Sequence, residues 1–379
     1  MELPQDVLMS IFATLEVPDL VRAGSVCSSW RSAYTSICSL GHCKPQQTPC
    51  LLYTFDSDGT KSTGLYSLVE KKAYVLPLQD LPNRHIIGSC YGWIVTADER
   101  SELHLVNPIT GEQIALPSVT TIEQVKPIYD DDAAAANGYK YLWHTGEVTV
   151  SDSSSILYYK AFVSCDPSMG GGYTVVLIHN PYCQLSFARA GEIHMFDLTD
   201  PKVAPKIVMG KVKDFLYENI YIVEASCGNL LQIWRSDDLP KGDVPEGDED
   251  DDHSFDSESE FDSESYVCDT NTIKVHKVSL TEGKIVEISS LDENLLFLGH
   301  GQTLCLHAEE YLQLKANHVY FTDNNELYLF GYKNNHRDIG VLDLENFRRE
   351  EIVSPQIWSN WPPPIWLIPN PRRMKLASH

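Results

Sequence analysis

From Cys50 onward the chain alternates short runs rich in Val, Ile, Leu, Tyr and Phe with residues that favour turns. Runs such as Leu51–Phe55 and Trp93–Thr96 are separated by turn signals such as Asp58-Gly59. Short β-branched and aromatic runs bounded by Gly, Asn and Asp are typical of strands, and no long helical period follows. Residues after 50 are therefore predicted to be all-β, with many short antiparallel strands. Other predicted strands include Leu103–Val106, Leu157–Val163, Thr174–His179, Ile220–Glu224, Leu230–Trp234, Ile273–Val278, His318–Phe321, Glu326–Tyr332 and Ile339–Leu342.

A unit of strand, turn and second strand recurs with related sequences, in copies that begin at Leu103, Ile193, Val275 and Gly340. Their spacing, roughly 65–90 residues, is compatible with one or two units of about 45 residues, so about 320 residues predict six or seven units. Radial repetition of such units protects the sheet edges, which predicts a β-propeller with six or seven blades. A β-sandwich is the alternative, but the strands are more numerous than one sandwich contains.

The first 40 residues have a helical pattern instead. Pro18-Asp19 predicts a break before a second helix, and a third helical stretch carries Trp30. About forty residues are too few to bury a core alone, so the bundle needs either the C-terminal domain or a partner. Apolar residues at positions i, i+3, i+4 and i+7 share one face of the first helix: Leu8, Ile11, Phe12 and Leu15.

The chain is strongly and unevenly acidic. Asp and Glu number 53 against 29 Lys and Arg, a net charge of −24, and twelve of the acids lie within residues 243–264. A field of this sign repels phosphate, so nucleic acids and anionic membranes are not expected as partners. Residues 240–265 are predicted to be a disordered insertion, because their few apolar side chains cannot offset the entropy lost on ordering.

Two serines of this acidic stretch are candidate phosphorylation sites. Ser257 has Glu260 three residues later, and Ser259 has Asp262. Each phosphate would add about −1.5 to −2 charges. The stretch is either a solvated spacer or an electrostatic antenna for a basic target, and the sequence leaves both interpretations open.

Patterns of enzyme or metal sites are not found in the sequence. It has no P-loop, no G-x-S-x-G elbow and no H-E-x-x-H pair. Cys38, His42, Cys43 and Cys50 lie close together, but no C-x-x-C pair occurs, and buried reduced thiols are the better interpretation. We therefore expect no catalytic residue, no cofactor and no metal. No leader and no run of about 18 apolar residues is recognised, so we expect a protein of the cytoplasm or nucleus without a membrane span.

The N-terminus resembles an F-box. Leu3-Pro4 opens the pattern, Asp19-Leu20 follows the first helix, and Val26-Cys27-x-x-Trp30-Arg31 closes it. The resemblance implies a three-helix motif that docks on the Skp-type adaptor, and through it on the cullin, of a ubiquitin ligase. The alternative interpretation of the apolar residues in this pattern is that they form a helical core within the chain and do not contact an adaptor. The implied adaptor-binding residues are Leu3, Pro4, Leu8, Ile11, Leu15, Leu20, Val26, Cys27 and Trp30.

The remainder is similar to the plant F-box proteins with a KIB-type β-propeller, long a domain of unknown function. The resemblance implies an F-box over residues 1–40, a linker over 41–50, a propeller over 51–371 with the insertion at 240–265, and a tail over 372–379. The segments that carry it are Gly88-Ser89-Cys90-x-Gly92-Trp93, Asn107-Pro108-x-Thr110-Gly111, Ala225-Ser226-Cys227-Gly228-Asn229, Asn317-His318-Val319-Tyr320-Phe321-Thr322-Asp323 and Pro363-Pro364-Ile365-Trp366.

Together the two resemblances imply a non-catalytic substrate receptor of an SCF-type ubiquitin ligase. The F-box would bind the adaptor and the propeller would bind the target, which the family suggests is a protein kinase or another signalling protein. One alternative is a propeller scaffold that acts independently of the F-box. Another is a propeller that binds a small molecule or acts on glycans. We also expect the stretch from Trp366 to Ile368 to pair with the first blade and close the ring.

Overall fold

The structure is a computed structural model of the chain. Predictions that fall outside the described residues are the insertion 240–265 with Ser257 and Ser259, the strand Glu326–Tyr332 and most of the tail 372–379. Within the described residues, no helix is long and apolar enough to cross a membrane. The described residues are 3–122, 125–128, 138–143, 146–149, 157–170, 172–180, 184–189, 192–196, 219–237, 269–311, 313–324 and 334–373.

The N-terminal helices are α1 (Gln5–Phe12), α2 (Val17–Gly24) and α3 (Ser28–Leu40). Gly41 follows the last residue of α3 and terminates the helix, with a φ of 69° in the left-handed region that glycine adopts most easily. The three helices, which we call the helical bundle, pack around a small buried core of their own. Its buried members are Leu8, Phe12, Leu20, Ala23, Ala33, Ile37, Cys38 and Cys43.

Apart from a few short 3-10 turns, the other regular structure of the described residues is β, which confirms the mainly β prediction. The strands are β1 (Cys50–Ser57), β2 (Thr60–Ser67), β3 (Lys72–Leu76), β4 (His85–Cys90), β5 (Trp93–Ala97), β6 (Leu103–Val106), β7 (Gln113–Ala115), β8 (Val125–Ile128), β9 (Gly138–Trp143), β10 (Gly146–Thr149), β11 (Tyr158–Val163), β12 (Thr174–His179), β13 (Gln184–Arg189), β14 (Glu192–Phe196), β15 (Asn219–Glu224), β16 (Leu230–Asp237), β17 (Thr270–Ser279), β18 (Lys284–Ile288), β19 (Asn294–Leu298), β20 (Leu304–His307), β21 (His318–Phe321), β22 (Gly340–Asp343), β23 (Arg349–Glu350) and β24 (Ile365–Leu367). Short 3-10 turns lie between some of them.

Five sheets form the blades of a propeller. The first contains β24 and β1–β3, the second β4–β7, the third β11–β14, the fourth β15–β18 and the fifth β19–β23. Strands β8–β10 form a separate three-stranded sheet outside this ring, because the second blade contacts the third directly. Contacts between consecutive blades, in order around the ring, join Ser89 to Trp366, Cys90 to Val163, Lys160 to Tyr221, Arg235 to Thr322 and Phe297 to Trp366.

The predicted number of six or seven blades is wrong, since the described residues form a ring of five blades. The four copies of the sequence repeat, which begin at Leu103, Ile193, Val275 and Gly340, lie in four different blades. Their spacing is therefore the length of one blade with its connections, and not one or two shorter units. Part of the extra length lies in the β8–β10 sheet.

The C-terminal strand closes the ring as predicted, but it comprises Ile365–Leu367 and not Trp366–Ile368. In β24, Leu367 pairs with Cys50, Trp366 with Leu51 and Ile365 with Leu52, all antiparallel. The Trp366 indole is 3% exposed and meets the ring of Phe297 edge-on, at a centroid distance of 5.0 Å. The last strand of the chain therefore completes the first blade and also packs against the fifth.

We predict that Trp366→Ala lowers the free energy of unfolding of the propeller by about 3–5 kcal/mol, the usual cost of removing a buried Trp. Chemical denaturation followed by circular dichroism measures this change. Phe347→Ala is the matched control, because Phe347 is 64% exposed. Equal stability of the two variants would show that the C-terminal strand does not hold the ring together.

The turns between strands lie on two opposite faces of the ring. Strand β1 begins beside the helical bundle at Cys50 and ends at Ser57, and β2 returns to Ser67. The turn after Ser67 is therefore on the same side as the bundle, and the turn after Ser57 is on the other side. We call these sides the bundle face and the distal face.

The fourth and fifth blades follow the same arrangement. Gly301, just before β20, lies against Ile365, and Leu304 of β20 lies beside Leu367, so β20 runs in the same direction as β24 and ends on the bundle face. Asn294 pairs with the last residue of β20 and accepts a hydrogen bond (2.9 Å) from Ser226, in the turn before β16. The far end of β16, where the chain enters the acidic stretch, therefore lies on the distal face.

We predict that replacing residues 243–264 by a short Gly-Ser linker leaves the melting temperature nearly unchanged. Asp237 pairs with Thr270 across the β16–β17 ladder, so the two ends of the intervening chain are already adjacent. Changes in loop length cost little free energy when the ends are held together. Differential scanning calorimetry measures the effect, and a fall of more than about 5 °C would contradict a disordered insertion.

Candidate functional site

The residues with predicted adaptor contacts divide into buried and exposed groups. Leu8 and Leu20 are at most 1% exposed and belong to the core of the helical bundle, where Leu15 and Trp30 also pack. Leu8 and Leu20 therefore stabilise the bundle core and are not accessible to a partner. Their burial agrees with the alternative interpretation, in which the apolar residues form an intramolecular helical core. The exposed members are Leu3 (50%), Ile11 (46%), Val26 (64%), Pro4 and Cys27.

Two further apolar side chains are exposed on α1 and α2 and are not among the predicted adaptor-binding residues. Val7 in α1 is 40% exposed and Val21 in α2 is 43% exposed. Val7 lies four residues before Ile11, so the two share a helix face that the buried stripe of α1 does not include. We call the exposed set the apolar patch. Its members are Leu3, Val7, Ile11, Val21 and Val26.

An ion pair with a second hydrogen-bonding partner joins the bundle to the first blade. Both terminal nitrogens of Arg22 lie 3.0 Å from the carboxylate of Glu70, and the Tyr74 hydroxyl donates to the same carboxylate (2.6 Å). Burial favours the neutral acid, but the hydrogen bonds from Arg22 and Tyr74 outweigh it and lower the pKa of Glu70. This contact connects α2 with the β2–β3 hairpin on the bundle face.

The segment between α3 and β1 is attached to the bundle at several points. The buried Gln47 side chain accepts a hydrogen bond from the backbone N–H of Val17 (2.8 Å) and donates to the carbonyl of Leu15 (3.2 Å). The Glu16 carboxylate binds the backbone N–H of Thr48 (3.0 Å) and the ammonium of Lys44. The connection is therefore not a free tether, and the apolar patch has a defined orientation relative to the propeller.

We predict that the double variant Glu16→Gln, Glu70→Gln loosens this junction while changing global stability little, because half-exposed ion pairs are worth about 0–1 kcal/mol. Amide hydrogen exchange of residues 41–49 should accelerate at least about tenfold. Glu282→Gln is the control, since Glu282 pairs with Lys284 on an exposed hairpin. Unchanged exchange in the double variant would mean that other contacts orient the bundle.

The cysteine-rich stretch considered for a metal is spread over different environments. Cys38 and Cys43 lie in the bundle core with their sulfur atoms 3.9 Å apart, His42 is exposed, and Cys50 begins β1. Across the described ranges, no group of three or more His, Cys, Asp and Glu side chains converges in a way that could hold a metal ion.

A buried network of charges connects the fourth and fifth blades. Arg235, 1% exposed, donates to the Asp338 carboxylate (3.0 Å), which also accepts from the backbone N–H of Thr270 (2.7 Å) and from Arg349 (2.6 Å). Sequence reasoning could not find this network, because its members lie up to about a hundred residues apart and no motif joins them. Its complementary charges hold two blades together and need no ligand to do so.

Asp323 lies in the same region and has an unusually high pKa. Its carboxylate is 3.9 Å from the buried guanidinium of Arg337. Burial, together with the nearby negative charge of Asp338, raises the pKa of Asp323 to about 7. The folded state thus holds this proton to a higher pH than the unfolded chain does.

We predict from this shift that Asp323→Asn stabilises the protein increasingly as pH rises from about 4 to about 7. A raised carboxyl pKa means that the folded state binds more protons than the unfolded state in this window, so wild-type stability falls as pH rises. The amide cannot ionise and removes that slope. Urea denaturation at several pH values measures it, and parallel wild-type and variant profiles would contradict the assignment.

Both parts of the chain match models of known protein families. An F-box-like family model matches residues 1–40, and the KIB1-4 beta-propeller model matches residues 65–218 and 189–343. The F-box protein At3g07870 of Arabidopsis thaliana is 31% identical over 125 residues, 30% of each chain. The F-box protein At2g05970 of the same plant is 34% identical over 125 residues, 31% of this chain and 32% of its own. The matched region thus spans less than a third of the length of these curated relatives.

Proposed function

The chain belongs to the KIB1-4 β-propeller family and carries an F-box-like N-terminus, and we propose that it is a substrate-receptor subunit of an SCF-type cullin-RING ubiquitin ligase. The helical bundle would bind the Skp-type adaptor, and through it the cullin. The propeller would bind the protein to be ubiquitinated, for which the sequence resemblance suggests a protein kinase or another signalling protein. Such a receptor would act in the cytoplasm, the nucleus or both.

The observation that carries this proposal is the apolar patch on a bundle whose own core is already complete. Five exposed aliphatic side chains within the first 26 residues are more than a small free-standing bundle needs, and exposed apolar side chains in such number are typical of a protein interface. The patch needs no residue of the bundle core, so docking does not require the bundle to open. The adaptor would therefore bind a preformed surface.

The proposed mechanism is proximity. A receptor that binds a target raises the concentration of the target's lysines near the ubiquitin-charged enzyme, without supplying a reacting group itself. The contacts of Glu70 with Arg22 and of Gln47 with Val17 support this role, because they fix the direction in which the propeller presents a target. The distal face and the outer edges of the blades stay accessible when the bundle face carries the helices.

We predict that Ile11→Asp and Val26→Asp each weaken capture of a purified Skp-type adaptor at least about tenfold, because each places a charge in an apolar interface. Their melting temperatures should stay close to that of the wild type, since both side chains are exposed. Leu8→Asp should instead unfold the bundle, because it buries a charge in the core. Surface plasmon resonance and thermal unfolding separate these effects.

Val75→Asp is the matched control, because Val75 is 70% exposed but lies in β3 of the propeller. This control should capture the adaptor like the wild type. If the two patch variants bind the adaptor as tightly as the control does, the proposed docking surface is wrong. If the wild type itself does not bind any adaptor, a propeller scaffold that acts independently of the F-box becomes the better explanation.

A further inference from the structure

A groove of about 250 Å³ lies between the connection from β3 to β4 and the hairpin of β6 and β7. Its apolar floor is made by Leu78, Leu81 and Val106, all largely buried. The exposed side chains of Gln79 and Gln113 border it. The groove is therefore lined by both apolar and polar side chains.

Arg84 stands in the wall of this groove with most of its hydrogen-bonding capacity unused. The side chain is half-buried, and one terminal nitrogen, Nη2, donates to the amide oxygen of Gln113 at 3.3 Å. The other terminal nitrogen, Nη1, is buried and has no hydrogen-bond partner within the described part of the chain. A guanidinium has five N–H donors, so this arrangement leaves the group poorly satisfied.

The situation of Arg84 differs from that of the other anchored arginines. Acids outnumber bases by 53 to 29 in this chain, yet within the described ranges no carboxylate lies at ion-pair distance from Arg84. Asp80 borders the same groove but forms no ion pair with it. Five other arginines each pair with a carboxylate: Arg22, Arg235, Arg337, Arg349 and Arg372.

We propose that this groove binds an acidic peptide segment, with a carboxylate of the peptide on Arg84 and a neighbouring apolar side chain over Leu78 and Leu81. A charged guanidinium forms a stronger hydrogen bond with a carboxylate than with a neutral polar group, and a half-buried charge gains more from such a partner than an exposed one does. If the peptide belongs to a ubiquitination target, the groove is its recognition site, and that part of the inference rests on the proposed function.

The test uses the full-length chain and two pools of octapeptides as probes. Every peptide of one pool carries a single Asp or Glu among random apolar residues, and the second pool carries Asn or Gln at that position. Immobilised wild-type protein should retain the acidic pool at least about fivefold better at low salt, and the difference should shrink as salt screens the pair. Mass spectrometry of the retained peptides measures the ratio.

Two substitutions locate the binding at Arg84. Arg84→Gln removes the charge, and Gln113→Glu supplies an internal carboxylate to Arg84 with almost no change in size. Both should abolish the preference for the acidic pool, while Arg100→Gln, on an exposed turn, should preserve it. Thermal unfolding checks that all three variants stay folded.

Equal retention of the two pools by the wild type would overturn the proposal. So would a preference for the acidic pool that survives both Arg84→Gln and Gln113→Glu. Adaptor binding is measured on the same samples. If the wild type binds the adaptor but does not prefer acidic peptides, the proposed peptide site is refuted. If the wild type prefers acidic peptides but binds no adaptor, the peptide site is supported and the proposed receptor function is refuted.

Discussion

The three-residue pairing of β24 with β1 is the contact on which the geometry of the molecule depends. It joins the last blade to the first, and it also brings the following residues onto the bundle face. There Asn370 donates to the carbonyl of Tyr91 (2.9 Å) and its own carbonyl accepts from Asn107 (3.0 Å). Arg372 pairs with Asp166 in the third blade (3.2 Å). The chain end therefore ties three blades together at the side where the helices sit.

The helical bundle depends on this closed ring for its orientation. Its partners are the β2–β3 hairpin, through Glu70 and Tyr74, and the segment that leads into β1, through Gln47 and Thr48. Both belong to the first blade, which exists as a four-stranded sheet only when β24 is in place. Closure of the propeller and positioning of the apolar patch are thus linked through one blade.

Local sequence patterns were enough to predict much of the fold. Strand β6 has the bounds predicted for it, the periodicity of the first residues identified α1 as a helix, and the prolines before Ile365 limited the closing strand to the residues that follow them. These features follow from turn residues, periodicity and the missing N–H of proline, all of which act within a few residues.

Features that depend on distant residues were predicted less well or not at all. The blade number failed because a repeat spacing does not show how much of it is strand and how much is connection. The exposure of Val7 and Val21 depends on where the neighbouring helices pack, and the pairing of Arg235 with Asp338 joins residues about a hundred positions apart. The lack of a carboxylate partner at Arg84 is a property of the folded chain alone.

The most direct test of the proposed substrate-receptor function is amide hydrogen exchange of the full-length chain with and without a Skp-type adaptor. The account predicts that the adaptor slows exchange in α1, in α2 and in the turn before α3, and leaves the distal face of the propeller unchanged. Exchange that is unaffected in these helices, or that is slowed mainly in the blades, would contradict docking through the apolar patch.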